Sequence, residues 1–440
     1  MIPTIILAMI LEIILEMANK INRPACNFFL ITCNFFLIVC VIGLFFCSGI
    51  YAENLNAKNL NAGVVLADDQ GNILYGQNRE KPFIPASILK IFTSLSALNI
   101  LGPDFHFSTD YYVDPDSKNL YLKGFGDPLL ISEVIETLCL EIISKAKPGQ
   151  IQDIDTDIAN YINNYIVRDI ILDHTYFSDQ IQVPGKGRSL NPYDAPVGAL
   201  SANFNTILFQ WDKGKKRFAS GESQTPLLPD FLGEIKKTGL KQGRIVLSKQ
   251  QSLIYPGLLV KFFLEKNHIA VTGSARLGKF EEEKGVKNTF FSPFDIKQVV
   301  QKLLKYSNNY MANLVFLAMG AKTYGPPATL EKGVKAVKMF SKQRLGFDDF
   351  VLAEGSGLSR SNRISCDQML KVLIEFMPFH GLLKKKDNDF FKTGTLSGIR
   401  TRAGYISGKD GRLYPYVIMV NQKNKGYEGI LKNLIRLVPQ

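Results

Sequence analysis

The chain has 440 residues, 46% of them hydrophobic and 21% charged, a composition that excludes a disordered protein. At that length two or more domains are expected. With 52 basic and 40 acidic residues the net charge is +12, which suits an anionic partner or simply a soluble surface. No zinc-finger spacing, RNA-binding aromatic signature or arginine-rich arm is present, so nucleic acid is not the expected partner.

Lys20 and Arg23 precede an uncharged apolar stretch from Asn27 to Cys47, and Ser48 to Ala52 follow it. Basic flank, apolar stretch and small exit residue are the parts of a secretory signal, here cut after Ala52. The same stretch is long enough to anchor the protein in a membrane if it stays uncut. Residues 1–16 fit no part of such a signal, whereas Met17 gives a conventional basic opening. Two tandem copies, Cys26–Thr32 with Cys33–Val39 and Asn54–Ala57 with Asn59–Ala62, are local duplications and not a repeat architecture. Export leaves Cys139 and Cys366, enough for one disulfide if they meet and too few for a zinc site. His106, His174, His268 and His380 show no ligand spacing, so no metal or other cofactor is expected.

Residues 62–75 read as a hairpin, two apolar runs around an Asp/Gly turn. Pro85 and Ala86 then open an apolar-periodic run from Ser87 to Leu101, which Gly102 and Pro103 stop. From about 105 to 290 the text changes to short strands and turns, with helices near 131–146 and 228–238. Long helical runs return near 295–320 and 329–343. Alternating strands at 402–407 and 414–421 and an amphipathic helix at about 426–437 close the chain. Strands at both ends with helices between predict one α/β domain closed from both termini, the middle segment being inserted into it.

Three motifs stand in order on this frame: Ser87-Ile88-Leu89-Lys90, Ser307-Asn308-Asn309 and Lys392-Thr393-Gly394-Thr395. A serine hydroxyl needs an adjacent base to attack at neutral pH. Residues three apart share a helix face, so Lys90 can be that base, and partly dry surroundings help it lose its proton. Ser87 also falls at the positive end of the helix dipole. Taken alone the motif is weak, because serine is a favoured helix cap. Ser307 and Asn309 sit between two helical runs, where a hydroxyl and a carboxamide can be held rigidly. On a strand Lys392 and Gly394 share one face, while Thr393 and Thr395 share the other. Gly394 lets a substrate backbone lie close, and backbone N–H groups there can complete an oxyanion hole. Lys392 and the threonine hydroxyls suit a substrate carboxylate. Copies elsewhere read differently: Ser117-Lys118-Asn119 lies in a turn, and Lys237-Thr238-Gly239 is helix C-terminal punctuation.

Together these residues resemble the low-molecular-mass class C penicillin-binding proteins, the D-alanyl-D-alanine carboxypeptidase/endopeptidase family. The resemblance covers most of the chain after about residue 60. It extends to Gly126-Asp127-Pro128, the run Tyr193 to Asn203, Glu354-Gly355-Ser356-Gly357-Leu358-Ser359-Arg360 and Lys392 to Gly398. Ser307 lies 220 positions after Ser87, an interval that this family fills with inserted domains. The resemblance implies an α/β multi-domain chain, a β-lactamase/DD-peptidase-like transpeptidase domain with a large strand-rich insertion. Its expected parts are 1–52 (signal or anchor), 53–104 and 291–440 (transpeptidase-like), and 105–290 (inserted).

The resemblance also implies roles. Ser87 would be the nucleophile and Lys90 its base, with Ser307 relaying a proton beside Lys90 or Lys392. Asn309 would bind the substrate peptide; Lys392, Thr393 and Thr395 would hold its carboxylate, alongside Gly394. Backbone N–H groups of Ser87 and Thr395 would form the oxyanion hole, and Ser201-Ala202-Asn203 would be scaffold. The implied partners are peptidoglycan peptides and, as covalent inhibitors, β-lactams; the implied location is periplasmic or otherwise extracytoplasmic. Two positions depart from the family pattern: Asn308, where aspartate is common, and Asn313, where glutamate often stands. A β-lactamase and a non-catalytic wall-binding or antibiotic-sensing protein are the competing readings. The long interval opposes the first and the intact motifs oppose the second.

Overall fold

The computed structural model describes residues 60–145, 166–187 and 195–439. The stretch expected to be an export signal, and Tyr193 and Asp194 of the run noted above, lie outside the described residues. The described residues open with β1 (Ala62–Ala67) and β2 (Ile73–Gln77), joined by the Asp/Gly turn in which Asp68 accepts from the Gln70 and Asn72 backbones. A 3₁₀ turn (Ala86–Ile88) then runs into α1 (Leu89–Ile100). Every α1 residue from Leu89 to Leu98 is buried. A helix covered on all sides has only protein partners for its polar groups; Thr93 donates to the Gly355 carbonyl at 2.6 Å and Ser96 to its own Phe92 carbonyl, while the Ser94 hydroxyl has no hydrogen-bond partner among the described residues.

The middle of the chain builds a second core. Here lie β3 (His106–Val113), β4 (Leu120–Gly124), α2 (Ser132–Lys145), β5 (Ile166–Val167) and β6 (Ile170–Asp173). They are followed by β7 (Thr206–Asp212), β8 (Arg217–Ser220), α3 (Leu232–Lys237), β9 (Gln242–Val246) and α4 (Lys249–Lys266). Last come β10 (Ala270–Val271), β11 (Ala275–Leu277) and β12 (Asn288–Asp295). A five-stranded sheet runs β11-β6-β4-β3-β12, with a three-stranded β8-β7-β9 and a pair β10-β5 beside it. Helix α4, with Pro256 inside it, was not expected in a stretch that reads as short strands and turns. Its start is fixed by a Ser248/Gln251 capping box, and Gly257 lets the helix lie against Leu172 of β6. Tertiary packing there outweighs the bond that Pro256 cannot make.

The last third returns to the first core with α5 (Ile296–Tyr306), α6 (Asn309–Tyr324), α7 (Leu330–Phe340) and α8 (Cys366–Phe376). It ends in β13 (Lys384–Lys386), β14 (Asp389–Leu396), β15 (Ile399–Ser407), β16 (Leu413–Val420) and α9 (Glu428–Leu437). These strands join the first two in one antiparallel sheet of order β13-β14-β15-β16-β1-β2. Helices α1, α5, α6 and α8 pack with β1, β15 and β16 in a shared apolar core. Helix α8 also went unread, although Ser365 and Gln368 form its capping box. Cys139 belongs to the middle core and Cys366 to the terminal one, and both thiols are free. Among the described residues no helix is long and apolar enough to cross a membrane.

Candidate active site

Ser87 sits in the 3₁₀ turn that starts α1, preceded by Ala86 at φ 48°. A left-handed φ is costly for a residue with a Cβ, so the turn must be held from outside. Thr401 of β15 donates to the Pro85 carbonyl at 2.7 Å. Gly357, at φ +81°, lies so close that a Cβ there would overlap the Ala86 carbonyl.

One turn along, Lys90 is fully buried. Its Nζ has three polar neighbours: the Asn309 Oδ1 at 2.6 Å, the Ser356 carbonyl at 2.6 Å and the Ser87 Oγ at 3.1 Å. The first two can only accept. A neutral amine has two N–H donors and one lone pair, so these two acceptors leave the lone pair directed at the Ser87 hydroxyl. Burial, reinforced by the charge of Lys392, pushes the Lys90 ammonium well below the ordinary lysine range, while Glu354 pulls it upward.

Ser307 and Asn308 form the link between α5 and α6. Ser307 takes the left-handed conformation (φ 53°, ψ 37°) at the end of α5, and Asn308 caps α6 by accepting from the Met311 N–H. This sharp break aims the Ser307 hydroxyl and the Asn309 carboxamide at the same space. Lys392, on β14, donates to the Ser307 Oγ at 2.8 Å and to the Thr393 carbonyl at 2.8 Å. Its ammonium is lowered to about 7, by burial first and by Lys384 second.

Gly394 faces inward with Lys392, and Thr393 and Thr395 face the other way, Thr395 exposed. A Cβ on Gly394 would stand 2.7 Å from the Ser87 nitrogen, so β14 passes directly over the turn that carries Ser87. Strand β13 pairs with β14 only through Phe391. Beyond it the outer edge of Lys392 to Leu396 has no neighbouring strand among the described residues. An edge of this kind can pair with an extended peptide backbone.

All eight candidate residues therefore lie at the junction of α1, the α5–α6 link and β14. Sequence reasoning gave no site role to three others. Glu354 and Ser356 stand in the run that extends the resemblance, and the Ser356 carbonyl touches the Lys90 amine. Asn313 accepts from the Gly355 N–H at 2.9 Å and donates to the Asn309 carbonyl at 3.1 Å. The first bond ties α6 to the loop and a carboxylate could make it too; the second, back to the Asn309 carbonyl within α6, needs the amide. The decoys sit elsewhere. Asp114 gathers the backbone of the Ser117 turn, and Thr238 folds back on the Ile235 carbonyl at the end of α3. Asn203 is bonded to Ser132 and Tyr255 in the middle core.

A cavity of about 1090 Å³ lies beside the site, lined by His174, Lys249 and Pro327 among others and by none of the eight residues. Gly185, between its lining residues Val183 and Lys186, packs on Leu358 and Ser359, just past Ser356. The contacts of Lys90 with Ser87 and of Lys392 with Ser307 lie in the motif cluster and not in this cavity. Among the described residues no cluster of His, Cys, Asp and Glu could hold a metal ion.

A hydroxyl against a dry lysine, a second Ser–Lys pair and an open strand edge are the equipment of a serine enzyme of acyl transfer with lysine as base. The chain belongs to the D-Ala-D-Ala carboxypeptidase 3 (S13) family, whose model matches residues 51–289 and 233–384. It is thus a serine peptidase of the D-Ala-D-Ala carboxypeptidase class. It is 24% identical over 432 residues to a D-alanyl-D-alanine carboxypeptidase of Actinomadura sp. (strain R39), covering 84% of this chain and 78% of that protein. It is 23% identical over 437 residues to the D-alanyl-D-alanine carboxypeptidase DacB of Haemophilus influenzae, covering 84% and 85%. Its fold is similar to the crystal structure of penicillin-binding protein 4 (dacB) from Haemophilus influenzae, with a TM-score of 0.66 and 20% identity over 86% of this chain and 96% of that one.

Proposed function

We propose that Ser87 is the acylated nucleophile and Lys90 its base, acting on peptidoglycan stem peptides that end in D-Ala-D-Ala. The carrying observation is the Lys90 amine, fully buried and held by two pure acceptors with its third direction at the Ser87 Oγ. Lys90 takes the Ser87 proton as Oγ bonds to the carbonyl carbon of the penultimate D-Ala. The oxyanion faces the backbone N–H groups of Ser87 and Thr395. Ser307, supported by Lys392, gives its proton to the leaving nitrogen and takes in exchange the one that Lys90 holds, so Lys90 is neutral again; the C–N bond breaks and D-alanine departs. Water then attacks the ester with Lys90 again accepting a proton, and Ser87 regains its own. Lys392, Thr393 and Thr395 hold the terminal carboxylate, Asn309 the peptide, and Gly394 keeps the strand flat enough for the substrate to lie along its edge. Cleavage of a cross-link is the same attack with a longer leaving amine. β-Lactams would acylate the same serine.

Export of the chain to the cell-wall side, by the signal within residues 1–52, follows from the N-terminal reading and the family. The division into 53–104 with 291–440, and 105–290 between them, is supported by the sheet that joins β1 and β2 to β13–β16. The test is fluorescent-penicillin labelling of residues 53–440 beside Ser87→Ala. A stable covalent band that the variant lacks is expected. No band from folded wild-type protein would sink the assignment.

A further inference from the structure

Glu354 is fully buried, and its carboxyl forms no ion pair among the described residues. Such a group is costly unless hydrogen bonds replace its water. Here four do: the Ser356 N–H at 2.7 Å and O–H at 2.5 Å on one oxygen, the Ser359 N–H at 3.1 Å and the Asn362 amide at 2.9 Å on the other. Every partner is a donor, the shell that an acceptor-only carboxylate requires. A glutamine would turn an NH₂ group toward two of those donors.

The same shell bends the chain so that the Ser356 carbonyl meets the Lys90 amine. We infer that Glu354 is a positioning residue for the base: its carboxylate moulds the loop that presents the Ser356 carbonyl, and its charge acts on Lys90 through that contact. The inference rests on the reading of Ser87 and Lys90 given above.

The groups around Lys90 are Ser87 at the start of its own helix, Asn309 of α6 and Ser356 of the loop in contact with it, and Glu354 of the loop and Lys392 of β14 acting through charge. Only Glu354 and Lys392 among them carry charge, and they act in opposite directions, Lys392 lowering and Glu354 raising the lysine. Burial and one cation alone would leave Lys90 a feeble proton acceptor, since a base that loses its proton too readily also takes one poorly. The carboxylate offsets that.

The experiment measures second-order acylation by fluorescent penicillin from pH 5 to 10 in the full chain, in Glu354→Gln and in Glu354→Asp, with a melting curve for each. Removing the charge lets Lys90 stay neutral to lower pH, so the acidic limb in Glu354→Gln should move down. Its plateau should fall at least about tenfold, the order expected when one proton-transfer group is displaced. Glu354→Asp keeps the charge but withdraws it by one methylene; it should lower the plateau and leave the limb in place. If Glu354→Gln does not fold, the aspartate variant decides, and a wild-type plateau there overturns the inference. A folded Glu354→Gln with wild-type limb and plateau overturns it too, as would failure of both variants to fold, which would assign Glu354 to folding alone. If the wild type takes no label, the reading of Ser87 falls first and this inference with it.

Discussion

The carboxylate-holding role proposed for Lys392 requires it to be charged, yet it sits where charge is disfavoured. Burial and the neighbouring Lys384 bring its ammonium to about 7, so it is cationic below that pH and neutral above. The pH dependence of kcat/KM reports groups of the free enzyme. For a peptide ending in a free carboxylate, kcat/KM should therefore decline as pH rises through about 7. Lys384 lies exposed on β13, outside the reacting groups, and acts only through its charge. Lys384→Gln removes a cation that disfavours the charged form, so Lys392 should keep its proton longer and the alkaline limb should move to higher pH. Salt screens an exposed charge, so the shift should be less than about one unit and should shrink in high salt. Steady-state kinetics across pH 5 to 9, at low and high ionic strength, checks this; a limb that moves down would contradict the sign.

At the scale of elements, the break between α5 and α6 concentrates strain at Ser307. A left-handed residue with a Cβ costs roughly 1 kcal/mol or more relative to glycine. Ser307→Gly should therefore raise the denaturation midpoint while removing the hydroxyl that Lys392 contacts. Ser307→Ala keeps the strain and loses the same hydroxyl, so it should be no more stable than wild type. Both should lower turnover by about a hundredfold or more, the usual worth of a proton relay. Equal midpoints in the two variants would show that the backbone there is not strained. The sequence signalled the hydroxyl and the amide at this link, because Ser307-Asn308-Asn309 falls between two apolar-periodic runs. It could not signal the left-handed turn, which glycine would normally mark. Glu354 was hidden for a related reason. Its work is to bind backbone and side-chain donors within eight residues of itself, and a local run of Gly and Ser looks the same whether its carboxylate points to solvent or to its own loop. Spacing reveals residues that share a face, whereas burial is settled by parts of the chain 219 to 266 positions away, as the Lys90 contacts to Asn309 and Ser356 show.

At the scale of the whole molecule, the terminal strands were legible as hairpins, but their order was not. Strand β1 lies between β2 and β16, its residue Ala62 opposite Val420, a pairing across almost the entire described chain. The middle region was legible as a change of texture, although α4 escaped because Pro256 masked an otherwise capped helix. This arrangement separates the two cysteines. Cys366 begins α8 in the terminal core, its sulfur close to Gly63 of β1, whereas Cys139 lies in α2 and donates weakly to the Val260 carbonyl of α4. Burial raises both thiols, so neither is a ready thiolate. A disulfide needs Cα atoms within about 7 Å, and residues belonging to different cores do not meet that without refolding. Protein lacking the first 52 residues should therefore react with a thiol reagent not at all when native and at both cysteines when denatured without reductant. Its melting midpoint should be the same with and without dithiothreitol. A denatured, unreduced sample that offers no thiol would mean that the two cores exchange partners, and the separation argued from α2 and α8 would be wrong.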